Sequence, residues 1–193
     1  FPAAYRFLCG LLLERPGVNI EIAKSEESCY TNRMNLARKL PVGIQSFEKL
    51  RRDGYLYIDK TSFIWKLVQS SNPYFLSRPR RFGKSLFLST LKAYFRGQKE
   101  LFTNLYIEKA EEEQAAQENR SAWQEYPVFY LDFNTGQYEL TGALDETLSY
   151  FLDTEEPKYN LHQSGLSHAK RFTSLIQAAY RQTGKQEVII VDE

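Results

Sequence analysis

An α/β fold built on a parallel sheet is predicted for this sequence, on three observations. Three short runs, "PYFLS" (73–77), "PVFYLDF" (127–133) and "EVIIVDE" (187–193), are nearly continuously apolar instead of alternating, as strands covered on both faces are. Between them lie stretches whose apolar residues recur at helical spacing. No internal repeat interrupts the alternation of strand and helix, and that alternation calls for parallel strands joined by crossover helices.

The elements follow in chain order. A short strand is expected at Tyr55–Ile58, then a helix capped by Asp59 or Thr61 with Phe63, Ile64, Leu67 and Val68 inward. The strand at Pro73–Ser77 leads into "KSLFLSTLKAYFRG", where Phe87, Leu88, Leu91, Tyr94 and Phe95 form one stripe and Gly97 stands at the C-terminal cap. Residues 108–122 are polar, charged and free of Gly and Pro, which reads as an exposed helix or mobile connection. After the strand at Pro127–Phe133, "GALDETLSYFL" forms a helix with Leu144, Leu148, Phe151 and Leu152 inward. "SHAKRFTSLIQAAYRQTG" forms another, with Ser167 as N-cap, Phe172, Leu175, Ile176, Ala179 and Tyr180 on one face, and Gly184 at its end.

Composition narrows the function classes. The 193 residues, 42% hydrophobic and 15% aromatic, suit one globular domain with a sizeable core. With 25 basic against 24 acidic residues the net charge is +1, so no global field marks a nucleic-acid or membrane-surface protein. The apolar run Phe7–Leu13 is broken by Gly10, is too short to span a bilayer, and is flanked by Arg6 and Glu14 in a way that fits a signal peptide poorly. Cys9 and Cys29 are the only cysteines, so no disulfide framework or zinc site is expected and the reducing cytoplasm is the expected compartment. The sole methionine, Met34, precedes "NLARKLPVGIQSFEKL"; residues 1–39 are expected to be a leader outside the fold, and residues 40–193 the domain.

The chemistry lies in "SRPRRFGKS" (77–85). Gly83, Lys84 and Ser85 match the second half of the phosphate-loop pattern G-x-x-x-x-G-K-[ST], in which backbone N–H groups cradle phosphates, the lysine reaches the β and γ phosphates and the hydroxyl holds magnesium. Arg78 occupies the first glycine position, and Pro79 pushes it into extended backbone. Arg78, Arg80 and Arg81 add guanidinium groups suited to a polyanion, so the expected phosphate-binding stretch comprises Arg78, Arg80, Arg81, Phe82, Gly83, Lys84, Ser85 and Leu86. The setting, a helix opening directly after an apolar strand, places an anion at a helix N-terminus. "VIIVDE" then supplies a Walker B pair: Asp192 to hold magnesium and Glu193 to polarise the attacking water.

Together, "LPVGIQSFEKLRRDGYLYIDKTSFIWKLV", "YFLSRPRRFGKSLFLSTLKAYFRGQKELF", "YPVFYLDF" and "GKQEVIIVDE" resemble the AAA-ATPase-like domain of many bacterial proteins, which commonly precedes a PD-(D/E)XK nuclease-like domain. The resemblance covers residues 40–193 and implies a three-layer P-loop NTPase sheet of the ASCE type, here its N-terminal part up to the Walker B strand, with the Walker A strand beside it. It implies ATP and Mg2+ as ligands, Arg78 as a family trait, Lys84 and Ser85 as phosphate and magnesium contacts, and ATP hydrolysis coupled to a C-terminal effector domain. Two other readings stand beside it: a nucleotide-binding regulatory module with little hydrolysis, and a nucleic-acid-binding accessory domain using the arginine loop. Asp59 and Lys60 are candidates for the nucleotide pocket, with Asp59 equally a helix cap. Asp132 ends a strand on the edge where such sheets bind ligands. His162 and His168 lack metal-ligand spacing, and Trp65 and Trp123 read as packing residues.

Overall fold

Two strands form where the unbroken apolar runs lie. A computed structural model describes residues 5–6, 39–70, 72–79, 81–134, 142–163 and 165–192. Strands β2 (Val128–Asp132) and β3 (Val188–Asp192) pair in parallel, Val128 opposite Val188 and Asp132 opposite Asp192. A two-residue strand, β1 (Tyr5–Arg6), pairs in parallel with the other edge of β3, giving the order β1-β3-β2.

Side chains alternate across this sheet, and both faces are covered. Val128, Val188 and Ile190 join one core cluster, Phe129 and Ile189 the other. The first cluster takes residues from α1 (Phe47–Arg52), α2 (Thr61–Val68), α3 (Lys84–Phe95) and α4 (Tyr106–Gln117). The second takes them from α5 (Ala143–Glu155) and α6 (His168–Thr183). Covering both faces is what made the strand sequences continuously apolar.

Helix α3 carries the expected stripe: Phe87, Leu88, Leu91 and Phe95 are buried and Tyr94 packs against them. Gly97 follows its end at φ +66°, and a Cβ there would stand 2.7 Å from the Trp123 carbonyl oxygen, so both the turn and the close approach require glycine. The Tyr126 N–H donates to the Phe95 carbonyl (2.8 Å), and the Val188 N–H to that of Pro127 (2.8 Å). The C-terminal end of α3 therefore lies at the start of β2 and β3. Its N-terminal half, with Phe87, Leu88 and Leu91, shares a small cavity with Val191 near the end of β3. Helix and strands run in opposite directions, which brings Gly83–Ser85 toward the C-terminal end of the strands, where Asp192 stands.

Two expected strands are absent. Residues 55–60 and 73–79 have no regular secondary structure, so neither Tyr55–Ile58 nor Pro73–Ser77 is a strand, and the Walker A segment forms no ladder beside β3. Pro73 and Pro79 have no N–H to donate, and Phe75 is 53% exposed while Tyr74 and Leu76 pack inward, so this run is apolar without being covered on both sides. Three expected inward residues are exposed, Phe63, Leu144 and Tyr180, at the margins of their helices' apolar stripes. The polar segment 108–122 is largely α4, whose Ile107, Glu111 and Ala115 form a buried stripe. Glu111 is its anchor: it accepts from Tyr94 Oη (2.7 Å), Arg120 (2.7 Å) and the Trp123 N–H (3.2 Å).

Candidate functional site

The site begins with backbone geometry. Arg81 (φ +69°) and Gly83 (φ +73°) are both left-handed, and Gly83 is the N-cap of α3, with open space where a Cβ would stand. The first intrahelical bond runs from the Phe87 N–H to the Gly83 carbonyl (3.0 Å). The N–H groups of Lys84, Ser85 and Leu86 precede it, so they have no partner inside the helix, and no acidic residue stands in the first turn. Such an end attracts anions through its N–H groups and its dipole.

The side chains divide by position. Lys84 and Ser85 are half-buried, and neither side chain has a hydrogen bond or ion pair among the described residues. Arg81 and Phe82 are exposed. Arg78 lays its guanidinium over the Phe87 ring, 5.3 Å from the centroid, a cation–π contact that holds it against the body of the protein. Arg80 and Glu193 lie outside the described residues.

A largely apolar cavity of about 270 Å³ opens beside Gly83. It is lined by Leu40, Pro41, Leu50, Leu56, Tyr57, Ile58 and Lys60, together with Arg78, Phe82, Gly83, Leu86, Phe87 and Thr90. Leu40, Ile58 and Phe82 are 69%, 73% and 67% exposed, so three large apolar side chains face solvent around one opening. Leu86 belongs to this lining.

Asp192 is buried and ends β3. Its Oδ2 accepts from Tyr130 Oη (2.8 Å), its backbone carbonyl accepts the Phe133 N–H (2.7 Å), and its Oδ1 is buried without a partner among the described residues. A buried carboxylate oxygen left unpaired is costly and suits a cation or a water bound to one. Burial, and then the bond to Asp192, push the Tyr130 phenol well above its ordinary pKa. Lys92 stands 4.4 Å from the centroid of the Tyr130 ring, and its pKa is lowered chiefly by burial. Tyr130 and Lys92 were not singled out in the sequence, since only the strand register brings Tyr130 to Asp192.

The other candidates have structural employment. Asp59 Oδ1 accepts from the Thr61 N–H (2.8 Å) and hydroxyl (2.7 Å), and its Oδ2 from the Tyr106 N–H (2.7 Å). It thus pins the starts of α2 and α4, while Lys60 lines the cavity. Asp132 Oδ1 accepts from the Asn134 N–H and side-chain amide, closing the turn after β2. His168 Nε2 lies 2.8 Å from Ser149 Oγ, bridging α6 to α5.

A divalent cation fits the donors present. A carboxylate oxygen from Asp192 and a hydroxyl from Ser85 are hard ligands of the kind magnesium takes in ones and twos, with water and phosphate completing its shell. Among the described residues no cluster of three or more His, Cys, Asp or Glu forms a cage, so the protein would not enclose the ion alone.

Mixed α/β topology, Gly-Lys-Ser at a helix start and a buried aspartate at the C-terminal end of β3 are the features the described residues bring together. A family model described as "Predicted AAA-ATPase" matches residues 41–193, and the chain belongs to this AAA-ATPase-like family. It is 37% identical over 158 residues to an "Uncharacterized protein in vnfD 5'region" of Azotobacter chroococcum mcd 1, a match covering 81% of this chain and 29% of that protein. No solved structure matches.

Proposed function

We propose that residues 40–193 form a nucleotide-binding P-loop NTPase domain of the three-layer ASCE type that binds Mg-ATP and hydrolyses it. The observation that carries this reading is the shared position of the free α3 N-terminus and the half-satisfied Asp192 carboxylate, a phosphate cradle and a cation ligand toward the C-terminal end of the strands. The N–H groups of Lys84, Ser85 and Leu86 hold phosphate oxygens, and Lys84 Nζ adds a charge that reaches the outer phosphates. Arg81, exposed beside the helix start, adds charge for the same polyanion. The nucleoside occupies the cavity beside Gly83, where Tyr57, Leu56, Ile58 and Leu86 cover a base by apolar contact. The family's description favours ATP over other nucleotides.

Magnesium, held by Ser85 and Asp192 when bound, supplies charge neutralisation on the phosphates. Glu193 accepts a proton from the attacking water. The hydrolysis drives a further domain, of the PD-(D/E)XK nuclease-like kind that the family resemblance implies. In support, the matched part is 29% of the relative's length.

Two substitutions in the full-length protein separate binding from turnover. Lys84→Ala removes a charged hydrogen bond contributing about 1.5–3 kcal/mol, so Mg-ATP affinity falls at least about tenfold. Glu193→Gln keeps affinity while turnover drops by about 10² or more. Unchanged nucleotide affinity in Lys84→Ala overturns the reading.

A further inference from the structure

We propose that Tyr130 is a positioning residue for the metal-holding carboxylate: it fixes Asp192 so that one oxygen is engaged by the protein and the other is presented to the cation. The inference rests on the nucleotide reading above and concerns how that site is built.

The register makes the contact. Tyr130 stands opposite Ile190 in the parallel pair, so Asp192 lies two residues further along the neighbouring strand and on the same face. That diagonal separation is within reach of an aromatic side chain but not of most others. The phenol spans it, and Tyr130 Oη donates to Asp192 Oδ2 at 2.8 Å. The Phe133 N–H, at 2.7 Å from the Asp192 carbonyl, holds the backbone of the same residue. With one carboxylate oxygen and the carbonyl both held, the rotation of the Asp192 side chain is set, and Oδ1 is left buried without a partner among the described residues.

Lys92 supports the phenol from α3. Its ammonium lies over the ring face at 4.4 Å, where it steadies the ring and draws electron density from it, making the hydroxyl a stronger donor. Arg96, Glu155, Glu48 and Lys158 are the charges that act on Lys92, while Asp192 and Asp132 act on Tyr130. The row Lys92, Tyr130, Asp192 thus links the phosphate-loop helix to the end of β3 through side chains. A tyrosine that only filled the core would not need its hydroxyl, and phenylalanine would serve as well.

Calorimetric titration of ATP into the full-length protein, in EDTA and over a series of Mg2+ concentrations, tests this with Tyr130→Phe and Lys92→Met. The expected result is a rise of about 10- to 100-fold in half-saturating Mg2+ for Tyr130→Phe, the effect usual for an outer-shell partner of a metal ligand, with ATP affinity in EDTA unchanged. Lys92→Met, which keeps the ring covered, shifts half-saturating Mg2+ in the same direction by less. Wild-type Mg2+ dependence in Tyr130→Phe overturns the proposal and leaves the nucleotide reading standing. Equal loss of ATP affinity with and without Mg2+ also overturns it, by showing that the hydroxyl shapes the site as a whole. A wild-type protein that binds no ATP under either condition overturns both.

Discussion

At the scale of single residues, Arg78 and Ile58 line one cavity and are expected to touch different parts of one ligand. Arg78 lies on the Phe87 ring and lines the same cavity as Gly83, so on the nucleotide reading its charge serves phosphate. Ile58, 73% exposed, offers only apolar surface. Replacing Arg78 by Ala should therefore weaken ATP and inorganic tripolyphosphate alike, by about tenfold for one charged hydrogen bond of about 1.5 kcal/mol. Ile58→Ser, which removes apolar surface without adding charge, should weaken ATP several-fold and leave tripolyphosphate unchanged. Calorimetry on both ligands checks the pair, and an Ile58→Ser protein that loses tripolyphosphate equally would place the base elsewhere. The helix start at Gly83–Lys84 and the strand end at Asp192 were legible from the sequence, because helical spacing marks the one and an unbroken apolar run the other. Asp59 was half legible: its bond to the Thr61 N–H is local, although the N-cap of α2 is Lys60 and neither Asp59 nor Thr61, and its bond to Tyr106 crosses 47 residues and has no sequence signature. Tyr130 was invisible for the same reason, its bond to Asp192 crossing 62 residues.

At the scale of elements, α6 is joined to α5 and to the 3-10 turn that follows it (Glu156–Tyr159) by a partly buried charge cluster. Arg171 donates through Nε to Glu156 Oε1 (2.8 Å) and through Nη2 to Glu156 Oε2 (2.8 Å) and Asp153 Oδ1 (2.6 Å). The Arg171 hydrogen bonds hold the Glu156 carboxyl below the ordinary glutamate range despite burial. A carboxyl whose pKa is lowered by folding stabilises the fold above its unfolded value, about 4.3, and that contribution is lost as pH falls through the folded value. Glu156→Gln keeps one acceptor and loses one charged bond, so it should cost about 1.5–3 kcal/mol at neutral pH and several degrees of Tm. The difference from wild type should shrink as pH drops below about 4; a gap that persisted there would mean packing, not charge, is what the substitution removes. Elements whose apolar residues recur every three or four positions, α3 and α6 above all, were legible in the sequence. Tyr55–Ile58 and Pro73–Ser77 were not, because a short apolar run is also the pattern of irregular chain that packs one face on a core, as Tyr74 and Leu76 do.

At the scale of the whole molecule, the sheet sets the site. Helices on both faces leave the ends of the strands as places where a ligand can approach, and the opposed directions of α3 and β3 put the helix N-terminus and the strand C-terminus at the same end. The parallel pairing was legible in the unbroken apolarity of β2 and β3. The strand order was not, because nothing in a strand's own residues states its neighbour. Among the described residues, no helix is long and apolar enough to cross a membrane. The central claim is that phosphate sits on the start of α3 against the end of β3. Amide hydrogen exchange of the full-length protein, with and without Mg-ATP, tests it most directly, because the N–H groups of Lys84, Ser85 and Leu86 have no partner inside the helix and exchange fast unless a ligand covers them. The account predicts marked slowing over residues 83–87, accompanied by slowing at the ends of β2 and β3; protection confined to other elements, with 83–87 unchanged, would contradict it.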